Sequence, residues 1–402
     1  MLGNMSQRVR AYRRFIVAAG LLLSASLLSA QNLPTILVNC NAGQSLNAVL
    51  SKLPKNIPVT VLVQGTCTEY VKINGFEGLT LKAAPGAVLQ QPGTTPPGGV
   101  ASLLLIGASR SVTINGFAIH TTNTALGGVS IGQNSNDIRL RNLIMDGPAT
   151  FGVFVFEASQ VSVANVTVRD FGFAGIAALD VCDVHIERST IKSTTGSPFH
   201  DGIFASGGGH VTVQSTTIRN MQVGISAADH GIVDIQSFTT YFPKAAPDEV
   251  VIDSPAGTSV WGVEAQGGSA IQVGDTKLQI TNPGRLGGSD TGAVFVTDGS
   301  TLTDQGGHLL ISGSKGQGLL VSNNSHATVS GSSVTGGAHG GLVVANLSTI
   351  EVQPGGALTL VGGNVLDLFC DSKSLISGTS NLAGVPTANC GSLLPGDTEP
   401  LP

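Results

Sequence analysis

Charge is what this sequence has least of. Asp, Glu, Lys and Arg make up 11% of its 402 residues, so strong helix formers such as Glu and Lys are scarce. Aromatics are fewer still, at 4%. No clustered basic run occurs, which argues against a nucleic-acid partner. No stretch is repetitive enough for collagen or a low-complexity linker. Cys-x-x-Cys spacing is absent, which weakens a zinc site. Past residue 30 no segment is apolar enough to span a bilayer. What is plentiful is Gly, 54 residues in all, together with Val, Ile, Thr, Ser and Asn. That mixture favours many short strands joined by turns.

Arg8, Arg10, Arg13 and Arg14 precede an apolar run from Phe15 to Leu28, and Ser29-Ala30 offers a small-residue cleavage site. Residues 1–30 therefore read as a signal peptide, which implies a secreted, periplasmic or cell-surface protein. An uncleaved membrane anchor is the alternative. Loss of the four arginines takes the formal charge from −5 to −9, a mild acidity that suits solubility. Five cysteines remain after the leader. In an exported chain we expect Cys40–Cys67 and Cys370–Cys390 bridges, each worth roughly 3 kcal/mol, pinning the two ends. Cys182 is expected to be a buried thiol.

Self-similarity is the strongest signal. A Gly followed by alternating apolar residues appears as Gly128-Val-Ser-Ile, Gly152-Val-Phe-Val, Gly175-Ile-Ala-Ala, Gly202-Ile-Phe-Ala, Gly224-Ile-Ser-Ala and Gly262-Val-Glu-Ala, and returns at Gly292, Gly318 and Gly341. The central spacings are 24, 23, 27 and 22 residues, one coil of three strands. A second register holds Val112/Ile114, Ile138/Leu140, Val161/Val163, Val184/Ile186, Val211/Val213 and Val233/Ile235. Five and seven residues later come Phe117/Ile119, Leu143/Met145, Val166/Val168, Ser189/Ile191, Thr216/Ile218 and Phe238/Thr240. Period-two alternation puts these on one face. One coil cannot bury that face alone, but coils stacked about 4.8 Å apart can. The repeated Gly is expected to serve a corner that needs positive φ. Leu46, Val49, Leu50 and Leu53 lie on one face of a short amphipathic helix, a lid for the open first coil.

The expected architecture is all-β, a parallel β-helix of three-strand coils with a short N-terminal capping helix. Its divisions are a signal peptide (1–30), an N-terminal cap (31–58), the β-helix (59–365), and a C-terminal cap and tail (366–402). The lid, the strand Val61-Leu-Val-Gln-Gly-Thr66 behind it and the Gly-Ile/Val coils together resemble the pectin-lyase-like superfamily of right-handed parallel β-helix proteins. That superfamily contains polysaccharide lyases, polygalacturonases, uronate epimerases, tailspikes, adhesins and proteins of no known activity. The resemblance therefore implies a fold and leaves chemistry to the outer face.

On that face one outward register carries Arg169, Lys192 and Arg219, with His120 and Asp146 on earlier coils and Tyr241 expected on the next. Stacked like charges cost on the order of 1 kcal/mol per adjacent pair in water. Asp170 beside them would neutralise part. Either the row binds a polyuronate through its carboxylates, or it is a solvated surface. The 27-residue spacing comes from an insertion, Ser193 to Asp201, whose His200 and Asp201 would supply a base for a sugar C5 proton. Ser197-Pro-Phe-His-Asp201 partly matches the Asp-Pro-His-Asp of uronate epimerases, with an extra Phe and Ser for the first Asp. Asp201-Gly202 matches only the start of the polygalacturonase pattern. Asp180 and Asp229 share a register two coils apart, with Gly207 between them, so they form no adjacent pair. His-Asp-Gly also reads as a turn. His185 and Asp183, with Asp180, offer calcium as a metal alternative; otherwise no cofactor is expected. Trp261 and Phe204 would stack on sugars or pack locally.

The sequence thus points to a secreted, monomeric protein that recognises polysaccharide, with lyase or C5-epimerase action on polyuronates, rather than hydrolysis by paired carboxylates, as the expected chemistry. A non-catalytic, adhesin-like scaffold is the alternative.

Overall fold

Short apolar alternations that no single coil can bury force the chain to stack coil on coil. A computed structural model describes residues 35–94, 102–122, 126–147, 149–194, 201–237, 248–254, 259–284, 291–354, 359–364, 366–383 and 388–390. Residues 1–34, and with them the expected signal peptide, lie outside this description. Among the described residues, three parallel sheets of 13, 14 and 13 strands make a right-handed solenoid with almost no helix. From Val59 onward each strand pairs with the strand three strands after it, so every coil contributes one strand to each sheet. We call the sheets first, second and third in the order the Gly-led coil enters them.

Register is as the alternation requires. In the second sheet Val161 lies opposite Val184, and Val184 opposite Val211; in the third, Val168, Ile191 and Ile218 align. All six are buried and belong to one continuous core. Each such side chain contributes roughly 1.5–3 kcal/mol on burial. The sheets also continue past residue 365, through Leu368–Cys370, Leu375–Ser377, Leu382–Ala383 and Ala388–Cys390.

The lid is a helix of one and a half turns, Leu46–Leu50. Ser45 caps it by accepting from Ala48 N (3.2 Å), and Glu69 accepts from Leu46 N (2.6 Å) and Asn47 N (3.1 Å). Leu46 and Leu50 are buried, and Val49 and Leu53 pack against the core. Strand Thr35–Asn39 precedes it and adds the fourteenth strand to the second sheet. Cys40 and Cys67 are bridged. Cys370 is disulfide-bonded and lies in register with Cys390. Cys182 is a free, buried thiol.

The repeated glycines have a different cause from the one expected. None of Gly128, Gly152, Gly175, Gly202 or Gly224 has positive φ. Their demand is space: a Cβ on Gly202 would sit 2.4 Å from Gly224 O and 2.6 Å from the Ile218 side chain, and the same collision recurs at Gly175 and Gly224. The glycines face inward, where the first strand crosses the third-strand residue below it. Left-handed positions lie elsewhere, at other glycines such as Gly116 and Gly299 and often at Asn and Asp, whose short polar side chains tolerate that conformation. Asn142 (φ 53) and Asn165 (φ 54) hold such corners, and Asn142 Nδ2 donates to Asn115 Oδ1 (2.8 Å) in a small ladder.

Candidate functional site

From Ala118–His120 to Thr217–Arg219 each third strand is three residues long; its middle residue enters the core and its last turns outward at the corner before the next coil. Register places Gln90, His120, Asp146, Arg169, Lys192, Arg219 and Asp253 in one row. The three basic residues therefore do stack on adjacent rungs. They are not a bare cation stack, because an aspartate closes each end. Arg169 donates to Asp146 Oδ2 from Nη2 (2.7 Å) and Nε (3.2 Å), and His120 Nδ1 bonds Asp146 Oδ1. Arg219 Nε lies 3.9 Å from Asp253 Oδ2. Lys192 is the basic residue of the row with no ion pair among the described residues. Burial alone would raise the Asp146 carboxyl, but the bonds from His120 and Arg169 outweigh it and hold the group below its usual range. Asp170, expected to neutralise the row, instead accepts from Thr194 N and Oγ1 (2.7 Å each) at a left-handed corner.

The rung after Arg219 is Asp253, not Tyr241. Strand Glu249–Asp253 supplies that coil's third strand, and Val250 and Ile252 fill the core positions assigned to Phe238 and Thr240. An insertion before Glu249 displaced the strand, and Phe238 and Thr240 within it have the spacing of the repeat in sequence. Phe238, Thr240 and Tyr241 lie outside the described residues, and so does His200.

Across the corner, Asp201 opens strand Asp201–Ser206 of the first sheet, in register with Ala174 and Val223. Its amide donates to Phe173 O (2.8 Å). This outward face is rich in the few aromatics the chain has. Phe151 stacks on Phe154 (centroids 4.5 Å apart), and Phe173 meets Phe151 and Phe204 edge-on at 5.5 and 5.4 Å. Two coils beyond Asp201, Trp261 stacks on Phe295 (4.8 Å). Phe204, Ser226, Glu264 and Phe295 follow one another in one register. Asp201 is therefore a half-buried carboxyl in register with two aliphatic side chains, Ala174 and Val223, on the face that carries these rings. Burial pushes it up to about 7, and the charge of Glu264 pushes the same way. Burial also raises Glu264. The charge acting on Asp201 is thus a second carboxylate, not the basic row. A group near half-protonation at neutral pH can give or take a proton.

The remaining candidates are occupied locally. Asp183 accepts from Gln160 Nε2 (3.1 Å) and pairs with His185 Nε2 and His210 Nδ1 (3.3 Å each). His210 Nε2 reaches Asp234 Oδ2 at 2.9 Å, so this imidazole spans three coils. Asp180 (φ 59) and Asp229 (φ 47) are left-handed turn residues flanking Gly207. Among the described residues no group of three His, Cys, Asp or Glu could hold a metal. Trp261 is buried against Phe295, while Phe204 keeps part of its ring at the surface.

The sequence reading missed Glu264, His210 and the contacts that join His120 to Asp146. Glu264 was legible: it occupies the outward place two residues after a repeat glycine. The His210 and His120 contacts depend on rotamers, which alternation does not specify.

With this geometry in place, comparison with known proteins yields a fold and little more. The family model described as right-handed beta helix region matches residues 99–240. No curated protein matches significantly. Among solved structures, the catalytic domain of GH87 alpha-1,3-glucanase in complex with nigerose is similar at 12% identity, covering 90% of this chain and 70% of that one with a TM-score of 0.39. A variant of that domain in complex with tetrasaccharides gives 12% identity, the same coverage and a TM-score of 0.37. The class defined here is the right-handed parallel β-helix. Among the described residues no helix is long and apolar enough to cross a membrane.

Proposed function

We propose that this protein recognises a polysaccharide outside the cytoplasm, at the corner where the third sheet passes to the first, and that Asp201 transfers a proton there. What supports this is the place of Asp201 in register with Ala174 and Val223 on the ring-bearing outer face of the first sheet, where burial and the charge of Glu264 push its carboxyl up to about 7. Aromatic edges and faces suit the apolar surfaces of sugar rings. Two carboxyls without an opposing cation suit a neutral glycan, with Asp201 acting as acid at the glycosidic oxygen and a second carboxylate opposite. The Cys40–Cys67 bridge suits an oxidising compartment. We take the protein to act as a monomer.

A second reading, a polyuronate lyase or C5-epimerase, is favoured by the Arg169, Lys192 and Arg219 row. The two readings separate by experiment. A panel of neutral glycans and polyuronates is offered to the wild type and to Asp201→Asn, and binding, reducing-end release, unsaturated products and C5 inversion are followed. The first reading expects neutral-glycan binding by both proteins, with turnover at least about 100-fold lower in Asp201→Asn. Equal turnover by the two proteins would remove Asp201 from the chemistry. Binding without turnover by either would leave a non-catalytic scaffold.

A further inference from the structure

The corner from the first sheet to the second departs from the repeat near the capped end. Ser159 is followed at once by the strand residue Gln160, and Cys182 by Asp183. Earlier coils carry one residue more. Ile138 lies opposite Val161, yet it stands three residues after Ser135, whereas Val161 stands two after Ser159. The added residues are Glu77, Arg110 and Asn136, which bridge one another in parallel on successive rungs. Backbone bonds fix them there: Arg110 N donates to Phe76 O (2.7 Å) and Asn136 N to Ser109 O (3.0 Å). An extra residue of this kind bends the chain and re-aims side chains. Here it opens a cavity of about 520 Å³ over the buried Phe76 and Ser109. Gln133 and Asn134 line it as well, and Gln133 Oε1 fills the space that a Cβ on Gly107 would take. Glu77 and Arg110 are exposed and opposite in charge. Among the described residues neither makes an ion pair or a side-chain hydrogen bond. The same holds for the side-chain amides of Gln133, Asn134 and Asn136. Lys55, the other cation nearby, holds its Nζ over the Phe76 ring (5.6 Å).

We propose that this corner binds a small zwitterion of the α-amino-acid type. Arg110 takes the carboxylate, through the paired N–H groups that a guanidinium presents. Glu77 takes the ammonium. The amides of Gln133, Asn134 and Asn136 take the polar atoms of the ligand side chain, since each offers both donors and an acceptor. Spacing selects this class. Adjacent rungs lie about 4.8 Å apart, and in an α-amino acid one carbon separates the two charged groups. Each ligand charge can therefore meet its opposite at the same time. A neutral sugar would leave both protein charges to hydroxyls, and a simple anion would be repelled by Glu77. The cavity is of the size that holds small ligands, roughly 300–1,000 Å³. It lies three coils before Asp201 and at the opposite edge of the first sheet. The site therefore goes beyond the polysaccharide reading and does not depend on it.

The test titrates the full chain with L-glutamine and follows binding by calorimetry and by NMR of the ligand. Three further probes dissect the contacts. N-acetyl-L-glutamine lacks the ammonium, L-glutaminamide lacks the carboxylate, and maltose carries neither charge. The wild type should bind L-glutamine, and each blocked analogue at least about 10-fold more weakly. Arg110→Gln should weaken L-glutamine by a similar factor and cease to distinguish it from L-glutaminamide. Glu77→Gln should likewise cease to distinguish it from N-acetyl-L-glutamine. This crossed pattern assigns each charge to its partner, and a loss of fold would not produce it. Circular dichroism checks that both variants keep the wild-type structure. A wild type that binds no L-glutamine overturns the proposal, as does one that binds the blocked analogues equally well or prefers maltose. Undiminished L-glutamine binding by both variants overturns it too. None of these results bears on Asp201, whose role is tested with glycans.

Discussion

The backbone N–H of Ser159 donates to Sγ of Cys182 at 3.4 Å, and this contact places the lone thiol in a column of serines. On the preceding coils Ser109 N donates to Ser135 Oγ and Ser135 N to Ser159 Oγ, each at 3.2 Å. The pattern resumes where Ser269 N donates to Ser300 Oγ (3.0 Å) and Ser300 N to Ser325 Oγ (3.2 Å). Each hydroxyl satisfies a backbone N–H at the corner between the first and second sheets. Burial, the largest influence, raises the Cys182 thiol, which is the opposite of what a nucleophile needs.

Cys182→Ser should therefore be neutral or stabilising by up to about 1 kcal/mol, because a hydroxyl is the better acceptor. Cys182→Val adds about one methyl group and orphans Ser159 N–H, and should cost about 1–3 kcal/mol. Urea denaturation of the three proteins checks this. A valine variant as stable as the wild type would show that the column carries no energy.

The repeat glycines give a second prediction. At Gly202→Ala the new methyl meets Gly224 O at 2.4 Å, a backbone atom that cannot turn aside. Overpacking of that kind costs about 1–3 kcal/mol. Gly299→Ala, with nothing within 4 Å of the new methyl, should cost only the left-handed conformation (φ 74), about 1–2 kcal/mol. The two variants differ in kind: in a double-mutant cycle with Ile218→Ala, which removes the Cγ2 that the new methyl meets, Gly202→Ala should cost less than it does alone, whereas Gly299→Ala should add independently.

How much was legible follows from which property carries the information. Val161, Val184 and Val211 could be placed because period two and a coil of fixed length leave one arrangement that buries them all. Arg169, Lys192 and Arg219 could be put on one row for the same reason. The role of Gly202 was misassigned because a glycine needed for space and one needed for positive φ look alike in sequence. The Asp253 rung was missed because an insertion shifted the frame. The ion pairs of Asp146 could not be read at all: register sets which residues are neighbours, but side-chain torsions set which of them bond.

His210 predicts how stability responds to pH. Hydrogen bonding to Asp183 first, and to Asp234 next, raises its imidazole to about 9. The group is raised above its unfolded value, so its contribution is fully present below the usual histidine range near 6.5 and is lost as pH rises through about 9. Asp183 is shifted the other way, mainly by His185 and His210, so its contribution is present above about 4 and fades as pH falls further. His210→Ala should lower Tm across the neutral range, and its gap from the wild type should narrow above pH 9. A gap that stays constant to pH 10.5 or so would show that the latch across the three coils carries no charge-dependent energy.

Asp201 should leave a thermodynamic trace whatever its substrate. Burial raises its carboxyl to about 7, so the folded protein binds a proton that the unfolded chain has already released over the range from about 4 to 7. Where the folded state binds more protons, stability falls as pH rises. The wild type should thus lose stability between these limits on account of this group, with no further loss from it above about 7. Asp201→Asn cannot ionise, so it should be more stable than the wild type at pH 8 and close to it at pH 4. The difference should be on the order of a few kcal/mol at most, since each pKa unit is worth about 1.4 kcal/mol and relaxation around the site lowers that ceiling. Glu264→Gln removes a neighbouring negative charge, should bring the Asp201 carboxyl down, and should shift the stability loss to lower pH. Differential scanning calorimetry of the three proteins from pH 4 to pH 8 measures both effects. If Asp201→Asn instead melts lower than the wild type at pH 8, the carboxylate is a structural acceptor and the proton-transfer role falls.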